Sequence, residues 1–160
     1  MAISLQKGGN ISLSKTTPNL KNVTIGLGWD ARSTSGDDFD LDASIFMVGA
    51  NGKVRSDSDF IFYGQLRSAC GSVEHTGDNR TGRGDGDDES IIVDLERLSP
   101  NAVTLVFVVN SFTGQNFSKI ENASCRLVDL ETNQEMARYD LSGSGSHTAQ
   151  IMAKISRQSG

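Results

Sequence analysis

The chain predicts an all-β fold, a sandwich or barrel of mainly antiparallel strands, on three observations. Apolar residues recur at period two from end to end, several short continuous apolar runs interrupt that alternation, and turn signals come often enough to separate roughly eight to ten short strands. No stretch carries a long helical stripe. The alternating segments are Val23, Ile25, Leu27 and Trp29, then Phe39, Leu41, Ala43 and Ile45, and late in the chain Ala149, Ile151, Ala153 and Ile155. Each reads as a half-buried strand, because side chains two apart share a face. Phe60-Ile61-Phe62-Tyr63, Ile91-Ile92-Val93 and Leu105-Val106-Phe107-Val108-Val109 are short, rich in β-branched and aromatic residues and bounded by Gly, Asn, Asp or Pro, which suits deeper strands. Asn51-Gly52, Asp85-Gly86 and Gly143-Ser144-Gly145 supply turns. One or two helical turns fit at Leu95 to Leu98, stopped by Pro100, and near Phe117 to Asn122. No linker or repeat divides the 160 residues, so a single domain, 1–160, is expected.

Charge is concentrated. The chain has 20 acidic and 15 basic residues. Half of the carboxylates lie in two windows: Asp30, Asp37, Asp38, Asp40 and Asp42 in the first, Asp78, Asp85, Asp87, Asp88 and Glu89 in the second. Only Arg32, Arg80 and Arg83 interrupt them, so the rest of the chain is slightly basic. Nucleic acid is disfavoured as a partner, since phosphate binding needs clustered Lys and Arg. A cationic ligand is favoured.

In Gly36-Asp37-Asp38-Phe39-Asp40-Leu41-Asp42 a strand would send Phe39 and Leu41 to one side and Asp38, Asp40 and Asp42 to the other, lining one edge with three carboxylates. In the second window Gly82, Gly84 and Gly86 interleave with the acids and let backbone carbonyls turn toward a common centre. Oxygen donors on Gly-rich loops suit Ca2+, which accepts six to eight oxygens in loose geometry, better than Mg2+, which demands an octahedron. Zinc is disfavoured, because neither loop offers Cys and only His75 is near. Neither window has the glycine and glutamate spacing of an EF-hand. The competing reading is a pair of solvated turns, Asp and Gly being common turn residues.

Other motifs are weaker. Asp40-x-Asp42-x-Ser44 has the spacing of an aspartyl-phosphate nucleophile, but no buried apolar strand precedes it and no alternating β/α pattern follows. His75 and His147 lack a Ser or Cys partner in a recognisable motif and read as structural. Cys70 and Cys125 are far apart, which suggests two reduced thiols, and no feature of the sequence activates either. The absence of a signal-peptide run and of a membrane-spanning segment leads us to expect a cytoplasmic protein, so the five Asn-x-Ser/Thr triplets are ordinary composition.

Gly26-Leu27-Gly28-Trp29-Asp30, Asp38-Phe39-Asp40-Leu41-Asp42-Ala43-Ser44, His75-Thr76-Gly77-Asp78-Asn79-Arg80-Thr81-Gly82 and Gly84-Asp85-Gly86-Asp87-Asp88-Glu89 resemble the signature blocks of the TerD family of tellurite-resistance and stress proteins. The likeness runs from Ser4 to about Lys154. Val108 to Phe117 and Ala137 to Ser142 resemble the TerZ branch, and the first half is closer to TerD and TerE. The resemblance implies a bacterial β-sandwich of two sheets that binds two Ca2+ ions in acidic loops and has no established catalytic activity. It implies partners in a TerC-type membrane protein, a TerB-type protein and TerD paralogues, with peripheral association at the inner face of the membrane. Transferred by position, the implied ligands are Asp30, Asp40 and Asp42 and then Asp78, Asp85, Asp87, Asp88 and Glu89, with carbonyls of Asn79, Gly82 or Gly84 completing the shells. Many members continue with a further aromatic-containing strand pair, whose absence here would leave a sheet edge exposed.

Overall fold

A computed structural model describes residues 3–5, 8–31, 33–36, 38–83, 87–120, 122–140 and 148–157. Ten strands form two sheets: β1 (Ile3–Ser4), β2 (Asn22–Gly28), β3 (Leu41–Val48), β4 (Phe60–Ile61), β5 (Val73–His75), β6 (Glu89–Asp94), β7 (Thr104–Ser111), β8 (Ser124–Asp129), β9 (Gln134–Asp140) and β10 (Ala149–Ser156). The larger sheet has the order β1-β9-β8-β2-β6-β5 and the smaller one β10-β7-β3-β4. Only the β1–β9 pair is parallel among the described pairings. The alternating and apolar segments of the sequence are the centres of both sheets, β2 and β6 in one and β3 and β7 in the other.

The core lies between them. Val23, Ile25 and Leu27 of β2, with Ile91 and Val93 of β6 and Val73 of β5, face Leu41, Ala43, Ile45 and Met47 of β3 and Leu105, Phe107 and Val109 of β7. Period two places these residues on the inner faces, and removal of their apolar surface from water is the main favourable contribution to folding. β3 is unusual in that Asp42 and Ser44, on its outward side, are also buried. β10 is an edge strand with a register shift between Ile151 and Ala153, and Ile151 is exposed.

One expectation changes and one is met. Leu95 to Leu98 forms a turn rather than a helix; the Asp94 carboxylate accepts the N–H groups of Glu96 and Arg97 and stabilises the turn locally. The helical turn near Phe117 is a single 3₁₀ turn, Phe117–Lys119, and two further short pieces occur, α1 (Leu13–Thr16) and a 3₁₀ turn at Asp57–Asp59. The turns expected at Asp85-Gly86 and Gly143-Ser144-Gly145 lie outside the described residues. No helix among the described residues is long and apolar enough to cross a membrane. Both cysteines are free, Cys70 exposed and Cys125 buried.

Phe107 is 1% exposed at the middle of β7 and fills the space between the sheets. Phe107→Ala should destabilise the fold by about 3–5 kcal/mol through lost burial and a cavity, read as a lower urea midpoint at unchanged slope.

Candidate metal centre

One end of the sandwich collects four carboxylates from distant parts of the chain. Asp40 and Asp42 lie two apart around the start of β3, so both project to its outward side. The backbone there is pinned: Trp29 Nε1 donates to the Phe39 carbonyl at 2.9 Å and the Phe112 N–H to the Asp40 carbonyl at 2.8 Å. Glu89 opens β6 in the opposite sheet and points inward with Ile91 and Val93. Its carboxylate reaches across the gap, where Oε1 accepts the Ala43 N–H of β3 at 2.9 Å. That N–H is available because β4 pairs with β3 only at Ile45 and Phe46. Asp78, on the loop after β5, is the exposed member of the group.

His75, buried at the end of β5, fixes Glu89 from the other side. The Gly77 N–H donates to its Nδ1 at 3.0 Å, which leaves the ring proton on Nε2, 3.2 Å from Glu89 Oε1. The Asn79 N–H donates to Glu89 Oε2 at 3.3 Å. His75 is thus neither a nucleophile's base nor a ligand in this arrangement; it orients a carboxylate.

One ligand oxygen from each of Asp40, Asp42, Asp78 and Glu89 lies within 4.8 Å of the others. Oxygens sharing a calcium ion at roughly 2.4 Å can be at most about 4.8 Å apart, so the group fits around a single centre. Asp40 Oδ1 and Asp42 Oδ2 are buried and accept no hydrogen bond. A buried oxygen with no partner is unfavourable unless something cationic satisfies it. The donor set is all oxygen and strongly anionic, which suits a hard divalent cation.

Electrostatics agree. Burial, followed by the charges of Asp78 and Glu89, pushes the Asp40 carboxyl up from an ordinary 3.8 to about 6, with nearby Arg80 opposing. Burial, followed by Glu89, Asp40 and Asp78, pushes Asp42 up to about 7. Burial also raises Glu89, against the His75 and backbone hydrogen bonds that favour its anion.

The remaining predicted ligands go elsewhere. Asp87 stands over Gly26 on the outward side of the larger sheet and forms an ion pair with Arg126, Nε to Oδ1 at 2.9 Å and Nη2 to Oδ2 at 3.0 Å. A Cβ at Gly26 would occupy the space that Asp87 fills, so the glycine there is a packing requirement. Asp88 accepts the Trp29 N–H at 2.9 Å through Oδ2 and Asn79 Nδ2 at 3.2 Å through Oδ1. Asn79 Oδ1 accepts the N–H groups of Thr81 and Gly82, an Asx turn that leads into Gly82 at φ +71°, packed on the Trp29 indole. Asp30 Oδ2 accepts from Asn122 Nδ2 at 2.7 Å. Asp38 is exposed and is not among the four clustered carboxylates. Gly84 and Asp85 lie outside the described residues.

Sequence reasoning missed the roles of His75 and Arg126. Alternation from Val73 to His75 was the available signal for the first; nothing local marks the second. It also found no activated thiol, whereas the structure places Cys70 Sγ 2.8 Å from Ser72 Oγ and 3.5 Å from Ser68 Oγ. Burial acts against it, but these hydroxyls bring the Cys70 thiol down to about 7, while burial pushes Cys125 up to about 12.

A raised carboxyl pKa means that the folded state holds protons that the unfolded chain has released, so stability falls as pH rises through the interval. For Asp40 and Asp42 that interval runs from 3.8 to about 6 and about 7. The chelator-treated protein should therefore gain urea resistance from this site on going from about pH 8 to about pH 5. A saturating divalent cation should reverse that trend, since it binds the deprotonated carboxylates.

The TerD domain profile matches residues 1–160. The chain is 53% identical over 165 residues to tellurium resistance protein TerD of an Alcaligenes species, covering 100% of this chain and 86% of that protein. It is 46% identical over 166 residues to general stress protein 16U of Bacillus subtilis (strain 168), with the same coverages. Among solved structures, a homologue of telluride resistance protein (TerD) from Streptomyces coelicolor A3(2) superposes with a TM-score of 0.71 at 23% identity, over 88% of this chain and 83% of that one. A crystal structure of a protein of unknown function gives 0.73 at 24% identity, over 87% and 82%. Both show the same fold.

Proposed function

Because the chain belongs to the TerD family of tellurium-resistance and stress proteins, we propose that it is a non-enzymatic Ca2+-binding module, in which Asp40, Asp42, Asp78 and Glu89 hold one ion. The observation that supports this reading above the others is the pair of buried, unpartnered oxygens, Asp40 Oδ1 and Asp42 Oδ2, inside a four-carboxylate cluster. A bound cation would neutralise the repulsion among these groups. The protein's own residues do the rest: His75 and the Ala43 N–H hold Glu89, and the Phe112 N–H holds the Asp40 backbone.

The proposal includes a second ion near Asp30 and Asp88, on the outer part of the same loops. Burial raises the Asp88 carboxyl pKa, with Asp87 and Asp30 adding repulsion and the Trp29 N–H opposing. The ion-loaded loops then serve as a rigid surface for protein partners in the resistance system, of the TerC, TerB and TerD-paralogue type, in the cytoplasm. Phosphoryl transfer at Asp40 fits less well, because the carboxylate is 5% exposed and its neighbours are carboxylates that would repel an incoming phosphate.

A thermal melt in Ca2+, Mg2+ and chelator tests the site. We expect Ca2+ to raise the melting temperature well above the chelator value, by ligand linkage, and Mg2+ to raise it less. Asp42→Asn should remove most of the Ca2+ increment. Identical melting in all three conditions would overturn the reading, and a calorimetric stoichiometry of one would confine it to the Glu89 site.

A further inference from the structure

A run of aromatic rings crosses the outward face of the smaller sheet and ends beside the metal centre. Phe46 stacks on Phe60 across the β3–β4 pair with centroids 4.4 Å apart and planes at 12°, and Phe60 on Phe62 at 4.5 Å and 13°. Tyr63 meets Phe62 edge-on at 5.3 Å, and Phe112 meets Tyr63 edge-on at 6.2 Å. Exposure rises along the run, to 42% at Tyr63 and 59% at Phe112. The two outermost rings are held in place from below. The Phe112 N–H is bound to the Asp40 carbonyl, and Tyr63 rides on the turn closed by the Phe62 and Gln65 backbone hydrogen bonds.

Hydrogen bonds tie two acidic residues to this pair. Thr113 Oγ1 donates to the Asp38 carbonyl at 3.1 Å, which sets exposed Asp38 beside Phe112. Gln65 Nε2 donates to the Asp57 carbonyl at 2.7 Å, which brings exposed Asp57 against the turn of Tyr63. Nearby Arg55 is committed to Asp59 through two hydrogen bonds, so it does not offset them. The charge of Arg80 acts on Asp40 of the metal centre.

We propose that Tyr63 and Phe112, flanked by Asp38 and Asp57, dock a basic segment of a partner protein, one in which Arg or Lys alternates with apolar residues. This deepens the interaction-module reading by naming the partner's chemistry, and it uses residues outside the metal cluster. Exposed rings bury apolar surface and accept cations on their faces, and the two carboxylates steer and select a positive partner. An anionic lipid surface is disfavoured because Asp38 and Asp57 would repel its headgroups.

The test is fluorescence anisotropy of the full chain in Ca2+ with a fluorescein-labelled peptide of alternating arginine and leucine. A glutamate and leucine peptide is the charge control, and sedimentation with phosphatidylcholine–phosphatidylserine vesicles is the second arm. Phe112→Ser and Tyr63→Ser should each weaken binding of the basic peptide by about tenfold, the loss typical of an aromatic anchor. The Asp38→Asn, Asp57→Asn pair should weaken it about threefold and flatten its salt dependence. Leu130→Ser, exposed at the distant β8–β9 turn, should bind as the parent does. Undetectable peptide binding by the parent, equal binding by the ring variants, or Phe112-dependent vesicle sedimentation without a peptide preference would overturn the proposal. The Ca2+ melting increment, measured on the same variants, separates this failure from failure of the metal reading and shows that they remain folded.

Discussion

The carboxylate of Glu89 holds the two sheets in register at the end where the chemistry is. It belongs to β6 in one sheet and accepts the backbone N–H of Ala43 in the other, while His75 and the Asn79 N–H hold it from the other side. A buried anion is tolerated only when such donors surround it, and hydrogen bonds to a charged group are worth more than neutral ones. Everything else at that end depends on this placement. β3 can present Asp40 and Asp42 to Glu89 only because Ala43 is clamped, and the loop from Gly77 to Gly82 is anchored because His75 and Asn79 both attach to the same carboxylate.

The architecture assigns opposite tasks to chemically identical groups. Asp87 is neutralised by Arg126 and supports the larger sheet; Asp59 is neutralised by Arg55. Asp40 and Asp42, more deeply placed than Asp87, have no cation of the protein's own within hydrogen-bonding distance among the described residues and keep orphaned oxygens. Asp87 and Asp59 are paired with arginines, whereas the free oxygens of Asp40 and Asp42 are the ones an external ion would satisfy. Desolvation and mutual repulsion at those ligands are the stored cost that a cation releases.

Much of this was legible in the chain and some was not, for identifiable reasons. β2, β3, β6, β7 and β10 announced themselves because inner-face residues such as Val23, Ile25 and Leu27 alternate or run together. β8 and β9 did not, since Arg126, Glu135 and Arg138 carry an ion-pair network on their outward side that dilutes the apolar pattern. The acidic windows pointed to the right end of the molecule, but a one-dimensional reading treated each as a separate loop. The structure takes two residues from the first window and two from the second, Asp40 and Asp42 with Asp78 and Glu89, and sends Asp87 to the opposite side of its sheet. Side-chain direction in a strand reverses at each residue, so adjacent acids such as Asp88 and Glu89 cannot share one face, and composition alone does not reveal which of them turns inward.

The clasp formed by Glu89 joins residues almost fifty positions apart, with β4 and β5 between them, and this bears on the order of events in folding. Neither half of the centre can recruit an ion until the sheets have met, because closing a loop of that size is an entropic cost borne before any contact across it is formed. A cation binding at this site would therefore act late, on a sandwich already assembled. Its effect would fall on the lifetime of the folded state more than on the speed of reaching it. For a protein of a stress system, the proposed ion would convert ambient divalent cation into persistence: the same chain would be made and fold as before, and the ion would set how long it stays folded.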